Sequence, residues 1–441
     1  MSKDTLYDYA NLLKERLFEA IDKAIETYRK DYYMSHDFKR NRKLPLEKVI
    51  LLMLTMRGKS LNKEFLEADE KVSVSAFSQQ KKKIPWTLFE DILLNFNELC
   101  KEDDDKTYCG YHLLAVDGTA VNIARNPKSE SFVIHSGSPN GYCALHLTTL
   151  YDVINHFYRY CVIQPEPFKN EVLALDSMLG WHWYEFDKPT VVIADRGFES
   201  YNSFGYFLSH DSVKFLVRVK NDGMRPIKKL PMEDGLDVDV SCIVVTQKKK
   251  EFQGENYIYV QTRPNPNKQY SSKTRNGRWD HQSPFPMSFR VVRFKIESGY
   301  ETIATNLPRS EVSAEQIKEI YNLRWQIELS FRSLKHYYCV NYSHSRSSES
   351  VKCEIFADMI ISSFCGRILN KIPVMKKTKH LHEADLTTAV DFCKQFIRDN
   401  NASARQLIKD ITRYTHPKRK GRKAERNIRP KTFKGFNYRT P

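Results

Sequence analysis

Apolar residues recur at helical spacing over 3–33, 46–56, 75–83 and 86–100, so the first hundred residues are predicted to be all-helical. The charged run KEDDDK at 101–106 closes that region. Beyond it come short β-rich runs bounded by turn formers: HLLAVDGTAV (112–121), ALHLTTLYDVI (144–154), RYCVIQ (159–164), PTVVIADRG (189–197) and VKFLVRVK (213–220). A helix around 168–180 separates the third run from the fourth. Three consecutive strands, a crossover helix and further strands predict an α/β protein with a mixed sheet covered by helices. From about 222 to 300 strand follows strand, in VDVSCIVVTQ, NYIYVQTR and MSFRVVRFKIE, and a basic loop at 264–286 carries Arg275, Arg278 and Trp279. ETIATNLP returns as a strand. Ser313 then precedes Gln316 by three residues, a capping signal that opens the next helix. Further helices are predicted at 349–371, 383–398 and 402–413.

The segment YNLRWQIELSFRSLK (321–335) changes this picture from architecture to chemistry. Read as one helix at 100° per residue, it gathers Tyr321, Arg324, Glu328 and Lys335 within a wedge of roughly 60°, with Arg332 at its edge. Leu323, Ile327, Phe331 and Leu334 form the adjoining apolar stripe. One carboxylate among three cations and a phenol suits a site that handles an anionic polymer beside a metal. The plainer alternative is that Arg324 and Lys335 pair with Glu328. Two further acids end apolar runs, Asp117 in LLAVDGT and Asp195 in VVIADRG. Such carboxylates project from the C-terminal edge of a buried sheet, where open α/β folds bind ligands, although Asp before Gly is also a common turn former. Joined with Glu328 they make three acids, and divalent metal is the usual remedy for their repulsion. Hard oxygen ligands without a His/Cys cluster favour Mg²⁺, with Mn²⁺ as a substitute, over zinc. Two ions about 4 Å apart would serve an in-line displacement at phosphorus.

Composition narrows the partner. With 70 Lys+Arg against 54 Asp+Glu the formal charge is +16, which favours a polyanion. Nine cysteines at irregular spacing read as reduced thiols rather than a disulfide or zinc framework. The N-terminus lacks a secretory signal pattern, and the longest apolar runs, such as VILLMLTM at 49–56, are too short to span a bilayer. A cytoplasmic protein with no membrane partner is expected.

Tyr321, Arg324, Glu328 and Lys335 match the Y-x2-R-x3-E-x6-K signature, and the chain resembles the DDE transposases of insertion sequence family four. LLAVDGT and VVIADRGF are similar to that family's two aspartate strands, and TNLP before the signature helix is also similar. Spacing fits: 78 residues from Asp117 to Asp195, then 133 to Glu328. The resemblance implies a ribonuclease H-like core with a β-rich insertion, an N-terminal helical domain and C-terminal helices. The corresponding division is 1–106 (helical, DNA-binding), 107–221 (core, first part), 222–300 (insertion), 301–371 (core, second part, with the signature helix) and 372–441 (C-terminal helices and basic tail). It also implies Asp117, Asp195 and Glu328 as metal ligands, and a bacterial enzyme that moves an element bounded by terminal inverted repeats by cut-and-paste. Cleavage would free a 3′-OH, which in this family commonly attacks the opposite strand to form a hairpin before joining to target DNA. Tyr321, Arg324 and Lys335 would hold phosphates beside the scissile bond.

A hairpin strains the duplex, and stacking an extruded base on an aromatic ring relieves it. Trp279 is the candidate platform, with Trp325 its rival; for each, core packing is the alternative. In SVSAFSQQKKKI (73–84), Ser75, Gln79, Lys82 and Lys83 are predicted on the exposed face of a helix resembling the recognition helix of a helix-turn-helix unit. FKRNRKLP (38–45) is suited to phosphate contacts. The tail from 413 to 441, with eleven Lys or Arg and one Glu, reads as a polybasic arm with non-specific DNA affinity. Double-stranded DNA is thus the expected partner, as element ends and as target, with nucleoid association when bound and a homodimer pairing two ends. Two alternatives remain: a structure-specific nuclease with the same metal site, or a DNA-binding regulator that has lost catalysis.

Overall fold

The computed structural model describes residues 3–30, 37–38, 43–56, 58–68, 71–135, 138–182, 186–260, 279–297, 299–373, 375–377, 380–417 and 437–438. Five helices come first: α1 (Lys3–Lys30), α2 (Leu46–Thr55), α3 (Leu61–Glu67), α4 (Val74–Lys81) and α5 (Trp86–Cys100). The seven-residue α3 was not anticipated from sequence, because LNKEFLE is too short to show a helical period. Then follow β1 (His112–Ile123), β2 (Phe132–His135), β3 (Ser138–Asp152), β4 (Phe157–Pro165), α6 (Glu171–His182), β5 (Thr190–Ala194), α7 (Tyr201–Leu208) and β6 (Val213–Val219). The chain continues through α8 (Arg225–Lys228), β7 (Leu236–Val245), β8 (Tyr257–Tyr259), β9 (Phe285–Ile296) and β10 (Gly299–Thr305). Five helices close it: α9 (Ala314–Leu323), α10 (Trp325–His336), α11 (Ser348–Lys371), α12 (Leu386–Arg398) and α13 (Ala404–Arg413).

All ten of these strands lie in one sheet. β3 pairs antiparallel with β1, and β2 and β4 lie end to end along its other edge. β5 and β6 then add in parallel to β1. From the outer strand inward this gives β4-β3-β1-β5-β6 with β3 reversed, the arrangement of a ribonuclease H-like core. Past β6 the sheet continues as β10-β9-β7-β8. The segment read as an insertion therefore extends the same sheet.

Side-chain alternation in the central strands sorts the two cores. Leu113 and Ala115 of β1, and Val191 and Ile193 of β5, face a layer built from the N-terminal helices together with α9–α13. Leu114, Val116, Val192 and Ala194 face α6 and α7, packing with Leu175, Met178, Phe204 and Phe207. Burial on both faces explains the unbroken apolar TVVIA of β5. The first and last helices share one core, since α1 and α5 pack together and against α11 and α13. Arg367 of α11, itself buried, donates to Asp104 at 3.0 and 2.7 Å and to Asn97 of α5 at 3.0 Å.

Candidate active site

The parallel register of β1 and β5 brings the first two acids together. Leu114 pairs with Val192 and Val116 with Ala194, so Asp117 and Asp195 are the next residues of neighbouring strands. Each spends one carboxylate oxygen on a nearby backbone N–H: Asp117 accepts from Gly118 at 2.8 Å, and Asp195 from Gly197 at 2.6 Å, capping a single 3-10 turn. Burial pushes the Asp117 carboxyl up to about 6; the Gly118 bond and Arg324 oppose this, while Asp195 and Glu171 add to it.

The third acid arrives on α10. A capping box between Ser313 and Gln316 starts α9 as the sequence predicts. The 321–335 segment is not one helix, however. It breaks at Arg324, which ends α9 and begins α10. Arg324 N–H bonds to Tyr321 O, and Ile327 N–H to Arg324 O, so the i→i+4 ladder tightens to i→i+3 there. The single-helix wedge is corrected accordingly: Tyr321 belongs to the end of one helix, and Glu328 to the first turn of the next. That placement favours the carboxylate, because the N-terminal end of a helix carries partial positive charge.

Arg324 ties Asp117 to Glu328. Its Nη2 bonds to Glu328 Oε1 at 2.8 Å and its Nη1 lies 3.7 Å from Asp117 Oδ2. Burial opposes the Arg324 charge, but the bond to Glu328 and the neighbouring Tyr321 and Asp117 outweigh it and raise its pKa. Arg324 thus makes the pair with Glu328 that the plainer alternative described. Lys335 donates to Thr119 at 2.6 Å, two residues past Asp117 on the same face of β1. Tyr321 is 8% exposed, its ring 5.9 Å from the Arg324 guanidinium, and burial raises its hydroxyl pKa against Arg324 and Arg218. Glu328 keeps about a third of its side chain exposed, and Arg332 is exposed.

The donor chemistry fits a hard divalent cation: three carboxylates of which one is held well above its usual pKa by burial. Among the described residues, no three His, Cys, Asp or Glu side chains are closed into a ligand set. The Arg324 guanidinium stands between Asp117 and Glu328 as their counter-ion.

The two tryptophans differ. Trp279 donates to Gln282 O at 3.0 Å and its ring lies 5.0 and 5.5 Å from those of His281 and Phe285, a local packing role. Trp325, next to Arg324, is 51% exposed. Ser75 and Gln79 are exposed on α4, which ends at Lys81, and Lys82 and Lys83 are exposed in the turn just after it rather than on the helix, with Lys83 paired to Asp37 at 2.9 Å. α3 packs against α4 through Phe65 and Phe77, with ring centroids 5.2 Å apart. Arg275, Arg278, residues 39–42 of the basic segment and most of the tail lie outside the described residues. All nine cysteines are free, and no helix among the described residues is long and apolar enough to cross a membrane.

Sequence reasoning missed one group. His146 of β3 bonds to Glu166 at 3.0 Å and to Glu171 at 2.8 Å, and Glu171 Oε1 packs directly over Gly118. The signals were a histidine in an otherwise buried strand and a glycine directly after the acid; neither names its partners.

A family model described as Transposase DDE domain matches residues 108–364. Over 143 residues the chain is 26% identical to the transposase for insertion sequence element IS231F of Bacillus thuringiensis subsp. israelensis, covering 32% of this chain and 30% of that protein. Over 82 residues it is 35% identical to the transposase for insertion sequence element IS421 of Escherichia coli, covering 18% and 22%. It thus spans less than a third of the length of these curated relatives. A solved piggyBac transposase synaptic complex with hairpin DNA aligns over 93% of this chain and 84% of that one, at 10% identity and a TM-score of 0.42.

Proposed function

The chain belongs to the transposase DDE domain family, and on that premise we propose that it is a DNA transposase moving an insertion sequence of family-four type by cut-and-paste. The observation that carries the reading is the β1/β5 register, which sets Asp117 beside Asp195, with Glu328 joined to Asp117 through Arg324.

Asp117, Asp195 and Glu328 are the residues that would hold divalent metal, as two Mg²⁺ ions or Mn²⁺ in their place. Such ions, when bound, polarise the phosphodiester and stabilise the leaving oxygen. The rest falls to the protein. Arg324, already between two carboxylates, offers a planar fork that a scissile phosphate can take in bidentate fashion. Lys335 supplies a point charge from the same face of β1. Tyr321 holds the Arg324 guanidinium in place. Each step is an in-line displacement at phosphorus, so one centre serves end cleavage, hairpin formation and strand transfer by exchanging the attacking oxygen. Of the two platforms for an extruded base, the exposed Trp325 is better placed than the packed Trp279. DNA ends would be read by α4, and a homodimer would pair two ends.

The test is incubation of purified protein with Mg²⁺ and DNA bearing the element's own ends. Nicks, hairpins and joined products are expected. Cutting without joining would make it a nuclease, and shifted but uncut DNA a regulator. Asp117→Ala, Asp195→Ala and Glu328→Ala should each abolish cleavage and leave end binding intact; loss of binding would give the acid a folding role instead.

A further inference from the structure

Asp117 is approached from both faces of its strand. Arg324, Glu328 and Lys335 come from the α10 side. On the other side stands a chain of polar side chains centred on the buried His146, with Glu166 and Glu171 part-shielded. His146 is 3% exposed and lies opposite Ala120 in the β1/β3 register, so it shares the face of Gly118. Its Nδ1 bonds to Glu166, which also accepts from Lys169 at 2.8 Å, and its Nε2 bonds to Glu171 at the start of α6. Gly118 makes this possible: a Cβ there would overlap both Glu171 Oε1 and His146 Nε2. Glycine right after Asp117 thus lets a fourth carboxylate reach the strand.

Packing alone does not call for this arrangement. Two carboxylates and an imidazole carry a high desolvation cost, and an apolar group of similar volume would fill the space without it. Glu171 also brings its charge to the reaction centre, since its Oε1 lies over Gly118, the residue adjoining Asp117. The imidazole fixes where that charge stands.

We propose that Glu171, aimed by His146 and Glu166 across Gly118, is a positioning residue that strengthens the hold of the Asp117 centre on a divalent cation. The inference rests on Asp117 belonging to that centre. A fixed negative charge behind Asp117 deepens the potential a cation meets, and raises the cost of leaving the centre empty. Removing it should weaken cation binding by about 3- to 10-fold, the scale of one charge acting across a partly solvated gap.

The experiment titrates the full chain with Mn²⁺ and follows the free ion by electron paramagnetic resonance, without DNA, alongside thermal unfolding. Asp117→Asn should lose the tight site. Glu171→Gln should keep it at several-fold weaker affinity, with its cleavage rate restored by raising Mn²⁺. Gly118→Ala keeps every acid but displaces Glu171, and should weaken binding in the same direction, so the inference stays testable if Glu171→Gln does not fold. Wild-type affinity in folded Glu171→Gln and Gly118→Ala, with the site lost in Asp117→Asn, would overturn the role of Glu171 and leave the centre standing. Wild-type binding in Asp117→Asn would remove the centre itself, and this inference with it.

Discussion

Asp117 shows at the level of one side chain what a buried carboxylate costs its fold. Its carboxyl titrates at about 6 in the folded protein, pushed up first by burial, against about 3.9 in an unfolded chain. The folded state therefore binds the proton more tightly. The stability this group contributes is fully present below about pH 4, is lost between about pH 4 and 6 as the buried carboxyl ionises, and stays absent above that. Asp117→Asn should accordingly stabilise the metal-free protein at pH 7.5 by about 1–3 kcal/mol, with the gain vanishing near pH 4. Thermal unfolding at the two pH values measures it, and a gain that persists at pH 4 would contradict the assignment. The three acids were legible because each aspartate ends an apolar run and the glutamate sits among cations. Arg324 between Asp117 and Glu328, and His146 between Glu166 and Glu171, were not. Those contacts join residues up to 207 positions apart, as Arg324 and Asp117 are, and no local pattern encodes them.

Among elements, most of the strands and long helices are found where period and turn formers place them, because each carries its own apolar stripe. The exceptions are short or irregular. α3 and β2 are too brief to show a period. The break at Arg324 has neither proline nor glycine to mark it; there the arginine's two carboxylate partners pull the side chain toward the sheet edge. α4 allows a test at this scale. Its Ser73 side chain accepts from Ala76 N–H and fixes the helix start, leaving Ser75, Gln79 and Lys82 outward. Gln79→Ala should weaken binding to the cognate end by about 1–3 kcal/mol while sparing unrelated DNA. Lys82→Ala should weaken both equally and flatten the salt dependence by about one unit. Equal losses from both substitutions on both DNAs would mean that α4 grips phosphates and reads no sequence.

Across the whole molecule, buried polar ties fasten the helical start to the catalytic half. Lys81 of α4 donates to Glu354 of α11 at 2.8 Å, both nearly enclosed. The same carboxylate accepts from Ser343 and Ser345 and from the His344 backbone N–H, in the stretch that follows α10. The helix that would read DNA and the stretch that follows the helix bearing Glu328 are thus anchored on one side chain. Glu354→Ala leaves the Lys81 ammonium buried without that counter-charge and should cost about 3–5 kcal/mol. Urea unfolding gives the figure; a loss under 1 kcal/mol would show that water already reaches the pair.

The meeting of α1 with α12 and α13 bears on what becomes of a truncated chain. Lys14 of α1 bonds at 2.7 Å to the carbonyls of Phe396 and Asp399, nearly four hundred residues downstream. A chain cut short before Leu386 would leave that flank of α1 bare, an apolar surface that chaperones or proteases recognise. The two distant segments thus guard one another from degradation only while both are present.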